Sequence, residues 1–503
     1  MDAYFSIVEL LKDSDLEWWS SLQQLNPLER ARAYVDKAAL QDGSQLLLFL
    51  QGGPGFGAPT PIVGLGFSSP ESSWAAKALL GKYYERLVFM DQRGTGRSTP
   101  VTKQSLAKKF PDLFLLDDKE KEGLPSLDDF EGSYPKEYLL VKKAVDEATN
   151  FMAQFRADNI VQDAEEIKDA LLLPGEGPRP YGCALGQSFG GFCMMTYLSL
   201  VDNPPKICLL TGGIAPMLTP VYDLYDKLWE RVKERNLRYY EMYPGDIKVV
   251  KNLVKTLLDK PVVLPSGSNL TARRFLHTGI ALGGSPASFA RLHALLNSAF
   301  LDPHNEEPEF TRAFLKAMDT EHSFDDHPIY FLMHESIYCD AAFNSPSNWA
   351  AHRAYESRVK TPSEFDYRLT SVLESDARPT LFFGEMVFPW MADGDFAEIG
   401  GVGMKSLAHS IAQKDDWGPL YDAAHMRRVL KDGSISRAAA SIYYEDMYVD
   451  FDLAMAVAKR GGPLEKCKVW VSNDYQHSGL RDDGAVIFAK LHGMATGSIR
   501  TPS

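Results

Sequence analysis

Cysteine is scarce in this chain of 503 residues. There are five, Cys183, Cys193, Cys208, Cys339 and Cys467, an odd number with no C-x-x-C pair. That excludes a disulfide framework and leaves reduced, mostly buried thiols as the expectation. Long apolar runs are missing as well: no stretch reaches the roughly 18 residues that a membrane-spanning helix requires. Met1 to Trp19 carries Asp2, Glu9, Lys12, Asp13 and Asp15, and has neither the basic start nor the apolar core of a secretory signal. A cytoplasmic protein with no membrane partner is the expectation. Basic charge is short too. Against 67 Asp and Glu stand 53 Lys and Arg, a formal charge of −14 with a pI of about 5.3. That excludes a nucleic-acid binder, which needs a basic face. No H-E-x-x-H and no clustered His/Cys pattern occurs, so no metal site is expected. The run His322, Asp325, Asp326, His327 and His334 reads as a polar loop.

What the chain does hold is the composition of a globular protein, 45% hydrophobic and 24% charged. Its length exceeds one ordinary core, so two domains, or one carrying a large insertion, are expected. The most informative stretch is Tyr181 to Phe192. Within it, Gly186-Gln187-Ser188-Phe189-Gly190 fits the pattern G-x-S-x-G. Such a serine sits on a sharp strand-to-helix turn, and its neighbours two residues away must lack side chains. Tyr181 to Leu185 suits a short buried strand and Phe192 to Val201 a buried helix. Ser188 is therefore the candidate nucleophile.

Leu46 to Leu50 reads as a fully buried strand and ends in Gln51-Gly52-Gly53-Pro54-Gly55. Glycines there free backbone N–H groups to converge on one point, as an oxyanion hole requires. Arg86 to Met90 reads as a second buried strand, ending in Asp91-Gln92-Arg93-Gly94-Thr95-Gly96-Arg97-Ser98. Two strands that each run into a glycine loop indicate a parallel sheet with function at the carboxyl ends of its strands. Gly94-x-Gly96 is no dinucleotide fingerprint, since the third glycine is missing and no βαβ pattern follows.

Residues 1–42 offer Leu10, Leu11, Leu16, Trp18 and Trp19 as a small helical packing surface, and Asp117 to Glu137 reads as an exposed excursion. Lys136 to Gln154 is helical in pattern. A further helix follows, with Asn159 as N-cap, Gln162 as its N3 partner, and Ile160, Val161, Ala164, Ile167 and Leu171 on one face. After another short strand, Lys206 to Leu210, helices dominate from about Pro216 to Asp432, where Leu224, Leu228 and Val232 recur every four residues. Strand character returns at Ala438 to Tyr444 and at Lys468 to Ser472. The pattern divides the chain into a sheet-bearing first part, residues 1–215, a helical insertion, 216–435, and a sheet-bearing last part, 436–503.

The joint occurrence of the Gln51 to Gly55, Asp91 to Ser98 and Gly186 to Gly191 motifs resembles the prolyl aminopeptidase (proline iminopeptidase) family of α/β-hydrolases. Gly384-Glu385-Met386-Val387-Phe388-Pro389-Trp390-Met391 resembles the longer-capped members. The likeness spans about Leu46 to Gly479. It implies an α/β-hydrolase fold with a mostly parallel sheet, a large helical cap domain inserted after the sixth strand, a Ser–Asp–His triad and no cofactor. The chain departs from the family at Gln51, where many members have histidine. It also departs in residues 1–45, which look helical where the family has two or more antiparallel strands, so a sheet truncated at one edge is expected.

In this fold the triad follows the order Ser, Asp or Glu, His. Of eleven histidines only His477 and His492 lie late enough, and His477 follows the strand expected to end at Ser472, whereas His492 falls in an expected terminal helix. The acid comes from Glu445, Asp446 or Asp450, and alignment with the family favours Asp446. The oxyanion donors would be the N–H of Phe189 and one from Gly52 or Gly53. The resemblance further implies that Glu335 and Glu385 bind the substrate amine, with Tyr338 beside Glu335, and with Phe388 and Trp390 walling an apolar pocket for a pyrrolidine ring. The function expected is a serine aminopeptidase that releases N-terminal residues, preferably proline, from small peptides or arylamides. An esterase or amidase on the same scaffold, and a catalytically dead binding protein, are the rivals.

Overall fold

The five consecutive apolar residues Leu46–Leu50 are all buried. A strand with no polar face must be covered on both sides, which requires helices above and below the sheet. The structure, a computed structural model, describes residues 4–9, 44–59, 73–117, 136–172 and 179–501, apart from 303, 304, 306, 307, 322, 323, 344, 361, 362, 364, 376 and 377. The sheet strands are β1 (Tyr4–Glu9), β2 (Leu46–Leu50), β3 (Arg86–Asp91), β4 (Cys183–Gln187), β5 (Ile207–Thr211), β6 (Arg437–Tyr443) and β7 (Lys468–Ser472). They form one seven-stranded sheet in the order β1-β3-β2-β4-β5-β6-β7. Only β1 runs antiparallel to its neighbour.

β1 corrects one expectation. The edge of the sheet is extended by an antiparallel strand, with Tyr4 opposite Asp91 and Glu9 opposite Arg86. Tyr4-Phe5-Ser6-Ile7-Val8 is rich in the aromatic and β-branched residues that strands favour. Leu10, Leu11, Leu16, Trp18 and Trp19, expected to form a helical packing surface, lie outside the described residues, as do residues 118–135 of the expected excursion.

Alternate residues of each strand face opposite sides. Leu46, Leu48, Leu50, Val88 and Met90 join a core with Ile160, Ala164, Phe192 and Met195. Leu47, Phe49, Leu87 and Phe89 join a second core with Trp74, Phe488 and Leu491. The first face is covered by α1 (Ala157–Leu171) and α2 (Phe189–Leu200). In α1 the expected face is buried, but the helix starts at Ala157 behind Arg156, so Asn159 lies inside it and is not its cap.

Between β5 and β6 the chain is mostly helical. This segment includes α3 (Val221–Met242), α4 (Ser288–Asn297) and α5 (Ala350–Val359). Leu224, Leu228 and Val232 of α3 sit in a third core with Phe275, Phe382 and Phe383, which also takes in Val141 and Met152 from the helix Lys136–Met152. Among the described residues the segment follows the fifth strand of the sheet. The chain ends in α6 (Gly479–Thr496), which packs under the sheet through Leu480, Ile487, Phe488 and Leu491. The loops that leave the carboxyl ends of β4, β6 and β7 carry the polar residues described next.

Candidate active site

β4 ends at Gln187 and α2 begins at Phe189, leaving a single residue for the turn. Ser188 takes φ 55° and ψ −123°, a conformation that costs about 1–3 kcal/mol for a residue with a side chain. The turn closes only because its flanks are bare. A Cβ on Gly186 would lie 2.2 Å from the Gly190 carbonyl oxygen, and one on Gly190 would lie 2.0 Å from that of Leu50. The turn lifts the Ser188 Oγ clear of the sheet, where it stands 2.8 Å from Nε2 of His477.

His477 is buried in the loop between β7 and α6. Its backbone N–H donates to the Gly283 carbonyl at 3.2 Å, which ties the loop to the helical segment. Its Nδ1 lies 2.8 Å from Oδ2 of Asp446, and the other Asp446 oxygen accepts the amides of Tyr448 and Val449. Burial alone lowers the His477 pKa; the charge and hydrogen bond of Asp446 outweigh it and hold the imidazole above its usual value.

The two neighbouring carboxylates are engaged elsewhere. Glu445 pairs with Arg235 and Arg238. Asp450 pairs with Arg231 at 2.7 Å and caps the helix Phe451–Ala458 through the Leu453 amide. His492 is also engaged elsewhere, with its Nε2 3.0 Å from the hydroxyl of Tyr84.

The glycine loop after β2 packs directly on this turn. A Cβ on Gly52 would stand 3.0 Å from the Cβ of Ser188 and 2.8 Å from Oε1 of Gln187. Phe189 opens α2, so its N–H is among those that no helical carbonyl can accept. The loop after β3 braces the glycine loop, a role that its sequence motif alone does not reveal. Gln92 donates to the Gln51 carbonyl at 2.8 Å, and Asp91 accepts the Ala58 amide at 2.8 Å. Its Gly96 admits no side chain, since a Cβ would fall 2.3 Å from the Asp91 carboxylate. The motif was visible in the sequence, but its contacts are tertiary.

Ser188 and His477 open into a cavity of about 570 Å³, lined also by Gly53, Tyr330, Glu385 and Tyr448. The Tyr330 hydroxyl donates to Glu385. The ring of Tyr448 lies 4.6 Å from that of His477.

The other expected binding residues do not gather here. Glu335 is buried, and its two oxygens accept the amides of Ala350 and Ala351 at 3.0 and 2.9 Å, so it holds the start of α5. Burial pushes its carboxyl pKa up. Tyr338 packs its ring against Phe192 and Tyr225. Phe388 and Trp390 stack on each other and line a separate cavity of about 240 Å³ with Arg273, Tyr355 and Tyr367. Glu385 sits at a bend of the loop that leads to Phe388, and the two side chains line different cavities.

Of the dense polar run, His322 lies outside the described residues, Asp325 accepts the Glu398 amide, and His327 stacks on Phe56 at 4.1 Å. His334 is buried, not part of a polar loop, because Tyr330 and Tyr338 pack their rings around it. Among the described residues no group of three or more His, Cys, Asp and Glu could hold a metal ion, and no helix is long and apolar enough to cross a membrane.

No family model matches the chain. A proline iminopeptidase of Aeromonas sobria is 33% identical to it over 460 residues, covering 92% of this chain and 89% of that protein. A proline iminopeptidase of Aspergillus aculeatus is 28% identical over 445 residues, covering 88% of this chain and 84% of its own. Among solved structures, the proline iminopeptidase of Mycobacterium smegmatis aligns over 92% of this chain and 93% of its own, at 14% identity and a TM-score of 0.31. The Aeromonas relative spans nearly the whole of both chains, the fold is that of an α/β-hydrolase, and the chain belongs to the proline iminopeptidase family of hydrolases.

Proposed function

We propose that the chain removes an N-terminal residue, preferably proline, from short peptides through an acyl-enzyme on Ser188. The observation that carries this reading is the hydrogen-bonded chain Ser188–His477–Asp446, set in a cavity that also holds the Glu385 carboxylate. In the first step His477 Nε2 takes the Ser188 proton as Oγ attacks the carbonyl carbon of the first residue. The C=O pair moves onto oxygen, facing the N–H groups of Phe189 and of Gly52 or Gly53. Each such donor is worth about 3–4 kcal/mol to the transition state. Asp446 fixes the imidazole tautomer and stabilises the imidazolium. The oxyanion then collapses, the C–N bond breaks, and His477 returns its proton to the leaving amine. Water, deprotonated by His477, releases the amino acid by the same steps.

Exopeptidase action requires recognition of a free amine. An α-amine has a pKa of about 7.7–8.0 and is largely cationic at neutrality. Taking it out of water costs several kcal/mol unless an acceptor replaces the lost contacts. Glu385 supplies that acceptor, oriented by the Tyr330 hydroxyl. Glu335 has no part in this reading, since both its oxygens are taken by backbone amides. The discriminating experiment compares prolyl-arylamide, other aminoacyl-arylamides and an aryl ester that lacks an amine. Release that is fastest from prolyl-arylamide supports the reading. Release from the ester alone makes the chain an esterase.

A further inference from the structure

The cavity that holds Ser188 is charged at more than one point. Besides Glu385 it is lined by Ser285, Ser288, Arg291, Glu321, Arg481 and Asp482. Arg291 belongs to α4 and Arg481 to α6, four residues beyond His477. Both are exposed. Other arginines of the helical segment are spoken for: Arg231, Arg235, Arg273 and Arg358 each pair with a carboxylate. Among the described residues neither Arg291 nor Arg481 forms an ion pair. Arg291 donates only to hydroxyls, Ser285 at 2.9 Å and Ser288 at 3.4 Å.

We propose that Arg291 and Arg481 bind the free α-carboxylate of the peptide that leaves, so that the cavity accepts a short zwitterionic peptide with its amine at Glu385 and its carboxylate at the two arginines. The proposal rests on the aminopeptidase reading above and adds the substrate class. A guanidinium offers planar, paired N–H donors that match the two oxygens of a carboxylate. Helix α4, of 10 residues, begins at this cavity, with Ser288 in its lining. Its N-terminal end favours negative charge. Glu385 and Arg481 act on His477 in opposite senses, the carboxylate raising its pKa and the guanidinium lowering it, so both stand within electrostatic reach of the imidazole.

Glu321 and Asp482 stand near Arg291, and Asp482 near Arg481 as well, without forming an ion pair to either. They cancel the arginines' long-range charge. Recognition therefore depends on short hydrogen bonds from the guanidinium forks, not on a general attraction for anions. Because amine and carboxylate must both be met within one cavity of about 570 Å³, and each extended residue adds about 3.3–3.6 Å, the proposal favours short peptides.

The test is the ratio of kcat/KM for prolylalanine and prolyl-dialanine as free acids to kcat/KM for the same peptides as C-terminal amides. Wild-type enzyme is compared with Arg291→Gln, Arg481→Gln, the double variant and Arg481→Lys. The expected acid-to-amide ratio is about tenfold in the wild type, the size of a charge-assisted bond discounted for exposure. It falls in each single Gln variant, approaches one in the double variant, and is retained in part by Arg481→Lys. Because the ratio is taken within one enzyme, a general loss of turnover does not move it. A wild-type ratio of one, or an undiminished ratio in the double variant, overturns the proposal. Proline release with a ratio of one removes only this inference, whereas no proline release from any of the peptides removes the aminopeptidase reading beneath it.

Discussion

Oδ2 of Asp446 stands 2.8 Å from Nδ1 of His477, while Oδ1 of the same carboxylate accepts the amides of Tyr448 and Val449 at 2.8 and 3.0 Å. The acid is thus fixed by its own loop and points one oxygen at the imidazole. Asp446→Asn keeps the shape but offers an amide that can present the wrong group to Nδ1. Its kcat should fall about 10⁴-fold, the size seen when an orienting acid is replaced elsewhere. Asp450→Ala should instead lower stability by about 1–2 kcal/mol through the lost helix cap, with a much smaller effect on kcat. Thermal unfolding and steady-state rates on both variants check this. A large kcat loss at Asp450 alone reassigns the acid.

The pH profile follows from the same contact. In the proposed mechanism His477 is the base, a role open only to its neutral form, and Asp446 holds its pKa above the usual value. The acid limb of kcat/KM should therefore lie above the ordinary histidine midpoint of about 6.5, with activity lost as pH falls through it. In Asp446→Asn the midpoint should move down, since the group that raised the pKa is gone. For substrates with a free amine, activity should fall again as the amine deprotonates near about 7.7–8.0. An aryl ester without an amine should show only the acid limb. An alkaline limb of equal size on that ester excludes amine recognition as its cause.

Glu385 and Glu335 should separate cleanly. Glu385→Gln should lower kcat/KM for prolyl-arylamide by about 10–100-fold, the weight of a charged hydrogen bond, and spare the amine-free ester. Glu335→Gln leaves one helix amide of α5 without an acceptor. That should cost about 1–3 kcal/mol of stability, and both substrates should lose activity together. Rates on the two substrates with a melting curve for each variant decide it. A selective loss at Glu335 would restore it to the amine site.

Gly52 tests the oxyanion arrangement. A methyl there meets Gln187 and Ser188 at 2.8–3.0 Å, so Gly52→Ala should push the loop and its N–H donors away from the serine. A loss of about 10²–10³ in kcat is expected with little change in KM. An unchanged kcat would mean that the loop supplies no donor.

Much of this was legible in the chain itself. Continuous apolar runs such as Leu46–Leu50 betray parallel strands, because a strand covered on both faces has no polar side to show. The elbow was legible because its glycines meet local steric demands around Ser188. The choice among Glu445, Asp446 and Asp450 is favoured toward Asp446 only by the family resemblance, since all three lie close together in the chain and it is the packing of Arg231, Arg235 and Arg238 that engages the other two. Glu335 and Glu385 look alike in sequence. Their difference lies in whether the start of α5 folds onto the carboxylate, a contact made across 15 residues. Phe388 and Trp390 sit in the same motif as Glu385 but line another cavity, which a linear motif does not encode.

The most direct test of a Ser188 acyl-enzyme is proline release from prolyl-arylamide by the wild type and by Ser188→Ala, with both shown to melt at similar temperatures. The mechanism predicts a loss of about 10⁶ in kcat, as for removal of the nucleophile in other serine hydrolases. A Ser188→Ala enzyme that keeps the wild-type rate of proline release contradicts it.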